Sequence, residues 1–457
     1  MQPISSISSS RSITAVLRLC AVAATLALIA AGLYVHSRMV RIDDVNREKS
    51  SFFTDRTYDV LFFGSSHMRM GIIPFQLWKD YGITSYNLAV SSQNTWNSYY
   101  DFLEACTHRM PKVAVLDVYG CRLDYPDGDA EKTRFHLFFD NFAFSKNKLR
   151  AARTLFTDNS ARQEVLFPYS LYHNRWDESS FRFWRIWNEG HFNEVNKENG
   201  FHWIVRMERD VRDYEAMRRV HADECLENED TDGFRYAKDF VAFCRKNGIQ
   251  PVLVYLPPAS GVLQQMEANS MQRIADALQV PYYNMLLHES ELIDCHTDFY
   301  DCNIGHEDVE QDTLGNGNCH LNLSGAIKVT DYVGAILRNE FSLSDHRTES
   351  GYEVWNDDYN VFRKYILGQF DGITDLDVLL MACRFEGLSC NLSVKDSVSF
   401  DAVEQRLIAQ LGNRISVVPA LFTEQECDVC VTVIDNETGD TVTEKAFDTG
   451  YSTFRCK

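Results

Sequence analysis

Ser66 and His320 are the two residues whose type and setting invite chemistry. The stretch DVLFFGSSHMRMGI (59–72) drives a strand-like run into Gly64, two serines and a histidine. A serine hydroxyl at the carboxyl end of a strand becomes an acyl-transfer nucleophile when a base takes its proton. The same serine can equally be a helix N-cap. Gly64 permits the tight turn, and N–H groups at the start of the next helix can hold an oxyanion. Some 250 positions on, NCHLNLSGAIKVTDYVGAIL (318–337) sets His320 just before an amphipathic helix, with Ala326, Val329, Val333 and Ile336 on one face. The last helix of an open sheet packs near its centre, so His320 can reach the first strand's end and act as base for Ser66. Taken alone, His320 reads as a helix cap. His67 is a poor rival, because adjacent side chains point apart.

These residues need strands to hold them. DVLFFG (59–64), SYNLAV (85–90), VAVLDVY (113–119) and PVLVYLP (251–257) are short apolar runs without clean alternation, as in strands buried on both faces of a parallel sheet. Helical stretches separate them: 97–110, 233–248 and 262–279, followed by PYYNM (281–285). The expected fold is therefore α/β, a three-layer α/β/α sandwich with a mainly parallel sheet over 57–343. Residues 122–230 break the rhythm and read as an inserted helical subdomain or lid. Beyond SLSDHRTESGYE, 350–457 reads as a small α+β domain with strand, helix and a hairpin turned at Asn436–Gly439.

With 45 Lys+Arg against 65 Asp+Glu, the formal charge is −20, and no basic run offers a nucleic-acid footprint. Residues 19–35 are seventeen uncharged, mostly apolar positions preceded by Arg11 and Arg18. They predict a membrane anchor at 16–37, a cytoplasmic 1–15, a linker at 38–56 and an extracytoplasmic remainder. A cleaved signal peptide ending near Ala30–Gly32 is the alternative. Thirteen cysteines, twelve outside the anchor, fit an oxidising compartment. Cys427 and Cys430 form a CxxC inside a strand-like run without a second metal-ligand pair, so no metal is expected.

Together these segments resemble the SGNH (GDSL-like) hydrolase superfamily, in particular its membrane-anchored bacterial branch. That branch includes the O-acetylation proteins of alginate synthesis and the anchored component of teichoic-acid D-alanylation. The resemblance covers roughly 57–340. It implies Ser66 as nucleophile and oxyanion donor. YNLAVSSQ is similar to the second block, with Ser92 in the glycine's place and Asn87 as a further oxyanion or substrate-binding candidate. The third block's Asn falls at or near Cys121, which offers no amide. CHLNLSGA resembles the last block, with His320 as base.

The family's acid stands three residues before the histidine, where this chain has Gly317. TDFYD (297–301) looks like the usual lead-in, which implies an Asp-x-x-His motif split by an inserted loop, with Asp301 as the acid. A disulfide between Cys302 and Cys319, which bracket the loop, would bring Asp301 and His320 together again. Asp312 and Asp298 are the alternatives. YHNRW (172–176) resembles a segment of such anchored proteins. It makes His173 and Arg175 candidates for the acceptor and Trp176 for stacking on a sugar, or else anchors of the insertion.

The resemblance thus implies a membrane-anchored, extracytoplasmic serine esterase or O-acyltransferase without cofactor. Its implied partners are a cell-surface polysaccharide or teichoic-acid-like polymer and a membrane-bound O-acyltransferase. The rival from another class is a catalytically degenerate glycan-binding or assembly module of the envelope.

Overall fold

The structure, a computed structural model, describes residues 7–40, 56–125, 144–167, 198–209, 223–257, 261–302, 319–419 and 427–448, with Phe52 and a few positions between 132 and 139. By chain contacts it divides into two compact units, 1–50 with 127–194 and 51–126 with 195–457.

In the first unit, α1 (Ile7–Val40) is a single helix. Its stretch Ile13–Leu33 has a mean hydropathy of 2.2 over 21 residues. At 1.5 Å per residue that is about 30 Å, long and apolar enough to cross a membrane.

The second unit is built on five parallel strands, β1 (Val60–Phe63), β2 (Ser85–Asn87), β3 (Val113–Asp117), β4 (Gln250–Tyr255) and β5 (Tyr282–Asn284), in the order β2-β1-β3-β4-β5. Successive residues on a strand face opposite ways, and both Phe62 and Phe63 are fully buried. Phe62 joins a cluster with Val329, Val333 and Leu337 of α8 (Leu323–Glu340). Phe63 meets Phe102 of α3 (Thr95–His108) at 5.2 Å and Phe240 of α6 (Asp232–Lys246) at 6.1 Å. Helices therefore cover both faces, which is why these strands carry no polar alternation. The chain leaves β1 toward one edge and returns to β3 on the other side of it. The carboxyl ends of β1 and β3 thus form the switch point where ligands of such sheets bind.

The expected helices are present, with α7 at Val262–Leu278. Three details differ from expectation. The strand predicted over 85–90 ends at Asn87, although Leu88 and Val90 still donate to the carbonyls of Phe62 and Gly64 beside β1. On α8 Leu337, not Ile336, is the buried member of the stripe. The segment expected as one insertion over 122–230 is back on the sheet by Glu198. Asn87 N–H donates to Asn199 O, Glu208 N–H to Phe299 O and Leu323 N–H to Ile204 O. Within 127–194, α4 (Lys146–Leu155) and α5 (Asn159–Leu166) are capped by Ser145 and Asp158.

The C-terminal part adds α9 (Glu353–Leu367), α10 (Leu376–Ala382), α11 (Ala402–Leu411) and a second sheet. That sheet is ordered β11 (Thr441–Phe447), β10 (Val429–Asp435), β8 (Leu388–Val394), β9 (Ile415–Pro419). The hairpin turns where predicted, held by Gly439 N–H on Asp435 O. Strand β9, unpredicted, runs parallel to β8. Arg363 grips the start of the hairpin through two bonds to Asp435, 2.6 and 2.7 Å, both residues buried. This part packs on the α/β body through His346 Nε2 on Asp59 (2.8 Å) and Phe362 on Phe75 (5.0 Å).

Candidate active site

The two serines after Gly64 divide their work. Ser65 is the N-cap of α2 (Ser66–Gly71), its buried Oγ accepting from His67 N–H and lying 3.2 Å from His67 Nδ1. Ser66, half-buried, points elsewhere. Its Oγ lies 2.7 Å from His320 Nε2. The turn before them demands glycine. Gly64 has φ +154°, and a Cβ there would sit 2.7 Å from Asp117 Cβ.

His320 comes from β7 (Cys319–Leu321), paired antiparallel with β6 (Phe299–Cys302). The register opposes Asp301 to His320 and Cys302 to Cys319, with an irregularity between Phe299 and Asp301. Such a bulge re-aims a side chain. The Asp301 carboxylate takes His320 Nδ1 at 2.9 and 3.1 Å and also the His320 backbone N–H at 2.8 Å. With Nδ1–H committed to the carboxylate, Nε2 is the free acceptor toward Ser66. The histidine is buried, whereas the carboxylate is 37% exposed, so solvent wets only the outer end of the line.

Cys319 is disulfide-bonded and its Cα partner across the ladder is Cys302. The expected Cys302–Cys319 pairing fits that register. The α8 end is fixed separately. Asn322 caps the helix by accepting from Gly325 N–H and donates to the carbonyls of Thr297 and Phe299.

Of the alternative acids, Asp298 is fully buried and occupied, accepting from Ser324 Oγ (2.7 Å), Thr297 Oγ1, Asp294 N–H and Lys328 Nζ. It braces the lead-in to Asp301. Asp312, His173, Arg175 and Trp176 lie outside the described residues. Asn87 is a correction. Its amide donates to the carbonyls of Met68 and Ile72 and its Oδ1 accepts from Ala89 N–H. Buried and so spent, it ties α2 to β2 and has no donor for a substrate.

Ser92 keeps the conformation that a glycine would supply, with φ 60°. For a serine that costs ~1–2 kcal/mol. Its exposed turn is held by Val90 N–H on Gln93 Oε1 and by the Val90 bond to Gly64 O, beside the Ser66 turn. Among the described residues no acceptor takes the N–H of Ser66 or of Ser92. Cys121 is buried with its thiol 3.4 Å from Thr95 Oγ1, and burial raises it well above the usual thiol range.

Three residues near His320 went unassigned in the sequence. His67 stacks on His320 with ring centroids 5.0 Å apart at 21°, and Tyr300 does so at 5.5 Å and 21°. Tyr119 meets the edge of His67 at 4.1 Å. Burial first, then the neighbouring His320, holds His67 well below the ordinary histidine range, so it is neutral. Burial and adjacent Asp301 raise the Tyr300 phenol. Adjacency to Ser66 made His67 look irrelevant. A short helix turns its ring toward the distant histidine instead.

Asp117, at the end of β3 behind Gly64, is buried and accepts from Tyr119 N–H at 3.3 Å. Burial pushes its carboxyl up to about 7.

The assembled geometry is a serine hydroxyl, an imidazole and a carboxylate in one hydrogen-bonded line at the switch point of a parallel sheet. Neither the models of known protein families nor proteins of established function give a match to this chain.

Proposed function

We propose that the protein is a membrane-anchored serine esterase or O-acyltransferase of the SGNH type, acting outside the cytoplasm on acyl esters of a cell-surface glycan. The observation that carries the reading is the Ser66–His320–Asp301 line. Ser66 Oγ attacks the acyl carbonyl while His320 Nε2 takes its proton, and Asp301 holds the imidazole and balances its charge. The N–H groups of Ser66 and Ser92 face the oxyanion of the tetrahedral intermediate. His320 then returns the proton to the leaving alcohol, giving an acyl-Ser66. Water releases the acyl group in an esterase, and a sugar hydroxyl takes it in a transferase.

The apolar N-terminal helix supports tethering, which raises the concentration of the site near an envelope polymer. Arg11 and Arg18 before the span favour a cytoplasmic N-terminus. Transfer would place a membrane-bound O-acyltransferase upstream as acyl supplier.

A fluorophosphonate probe tests the reading. Labelling of the intact chain, abolished in both Ser66→Ala and His320→Ala, is the expected result. No labelling of folded protein would favour the second reading, a glycan-binding module that keeps the fold without the chemistry. What favours it is Cys121, a buried thiol at or near the position where the resemblance would have an oxyanion-donating amide.

A further inference from the structure

The strand that carries Asp301 is held from two sides, and only one of them belongs to the α/β body. β6 is entered through the turn 294–298, in which the N–H groups of Thr297 and Asp298 donate to Asp294 O. On the body side α8 holds that turn, Asn322 Nδ2 donating to Thr297 O and Ser324 Oγ to Asp298. The Asn322 bond is kept even where Asp298 loses its charge. On the other side stands α11 of the C-terminal part. Gln410 Nε2 donates to Asp294 Oδ2 at 2.9 Å and to Thr297 Oγ1 at 3.0 Å. The buried Thr297 hydroxyl donates on to Asp298 Oδ1. Gln410 is itself aimed, because its Oε1 accepts from Arg384 Nη1 at 2.6 Å. Arg406, one turn earlier on α11, places Nη1 3.4 Å from Asp294 Oδ2.

A second hold falls at the irregularity of the ladder. Glu208 N–H donates to Phe299 O at 2.8 Å. The next residue, Arg209, is anchored by two carboxylates of the C-terminal part. Its Nη1 meets Asp401, the N-cap of α11, at 2.8 Å, and its Nε donates to Asp377 of α10. The β6–β7 register breaks between Phe299 and Asp301. Where Phe299 sits therefore decides where the bulge aims the Asp301 carboxylate.

The ladder needs such support. It comprises three residue pairs, and an isolated two-stranded ladder is marginal in water. Asp301 is also the exposed end of the hydrogen-bonded line, with 37% of its side chain open to solvent.

We propose that the C-terminal part is an element of the active site, with Gln410 and Arg209 as positioning residues that keep Asp301 on His320. The catalytic consequence rests on Ser66 performing acyl transfer, whereas the hold on the Asp301–His320 bond does not.

The test uses the full chain in detergent with Gln410→Met and Arg209→Met, which keep the length of each side chain and remove its polar bonds. Neither residue is buried, and methionine suits the α11 position of Gln410. Each variant should slow fluorophosphonate labelling about three- to tenfold, short of the loss from a full ångström's misplacement. On an Asp301→Asn background the same substitutions should slow it less than about twofold, because the group they serve is gone. Equal slowing on both backgrounds would assign the two residues to domain cohesion alone and overturn the proposal. So would normal labelling by both single variants. A wild-type chain that does not label would reject acyl transfer only. The His320 Nδ1–H proton resonance, assigned by its loss in His320→Ala, then decides. It should shift or broaden in both variants, and a resonance unchanged in both would overturn the proposal.

Discussion

Asp301 holds His320 twice. One carboxylate accepts both the backbone N–H and the ring Nδ1–H of the residue opposite it in a two-stranded ladder. Where Asp and His lie three residues apart in one segment, chain connectivity fixes their distance. Here β6 and β7 are separated by residues 303–318, and the ladder must do that work.

Asp301→Asn should therefore cut the rate of fluorophosphonate labelling on the order of 10³-fold, since the amide favours the wrong imidazole tautomer. Asp298→Asn should act differently. It removes a charge from a buried network holding Ser324 and Lys328, so its loss should appear mainly in thermal stability. Equal rate losses in the two variants at matched stability would reject this assignment.

The disulfide at Cys319 makes a second prediction. Peptide mapping under non-reducing conditions should recover Cys302 linked to Cys319. Reduction, or Cys302→Ser with Cys319→Ser, should slow labelling about tenfold or more, because misplacing a catalytic group by an ångström costs that much or more. Labelling indifferent to reductant would show that the ladder alone suffices.

His67 should matter through its ring and not its charge, since it is buried, neutral and stacked on His320. His67→Ala should lower the labelling rate about tenfold through lost orientation, and His67→Phe should restore most of it. Rescue of melting temperature without rescue of rate would show that the imidazole does more than stack, and would reject this role.

Ser92 offers its backbone, not its hydroxyl. Ser92→Gly should label within about twofold of wild type, because the N–H and the positive φ are kept. Ser92→Pro removes the N–H and cannot adopt φ 60°, so it should cost on the order of 10²-fold, as loss of one oxyanion donor does. A Pro variant that labels normally would exclude this N–H from the site.

Much of this was legible in the sequence because it rests on local signals. Unalternating apolar runs gave four of the five parallel strands, and the helix starting at Leu323 placed His320 by its neighbours. What stayed hidden depends on distant pairing. Asn87 looks like a polar residue at a strand end, available for substrate, until Met68 and Ile72 are seen to take its amide. Strand β9 has no partner in its own neighbourhood and is defined only by lying beside β8. The stacking of His67 and Tyr300 on His320 joins three segments no periodicity connects.

Asp117 gives the pH dependence. Its carboxyl is held up to about 7 by burial, against an ordinary 3.8 in the unfolded chain. Between those values the folded protein keeps a proton that the unfolded chain releases. This contribution to stability is complete below about pH 4, falls as pH rises through 7, and levels off above it. The slope in that window is at most about 1.4 kcal/mol per pH unit. Asp117→Asn has nothing to ionise there. Its urea midpoint should gain on wild type between pH 5 and pH 8, most of all at the alkaline end. A wild-type midpoint that changes with pH no more than the variant's would place the Asp117 proton elsewhere. Because Asp117 packs behind Gly64, ionisation should also loosen the Ser66 turn, and labelling at pH 8 should be faster in Asp117→Asn than in wild type.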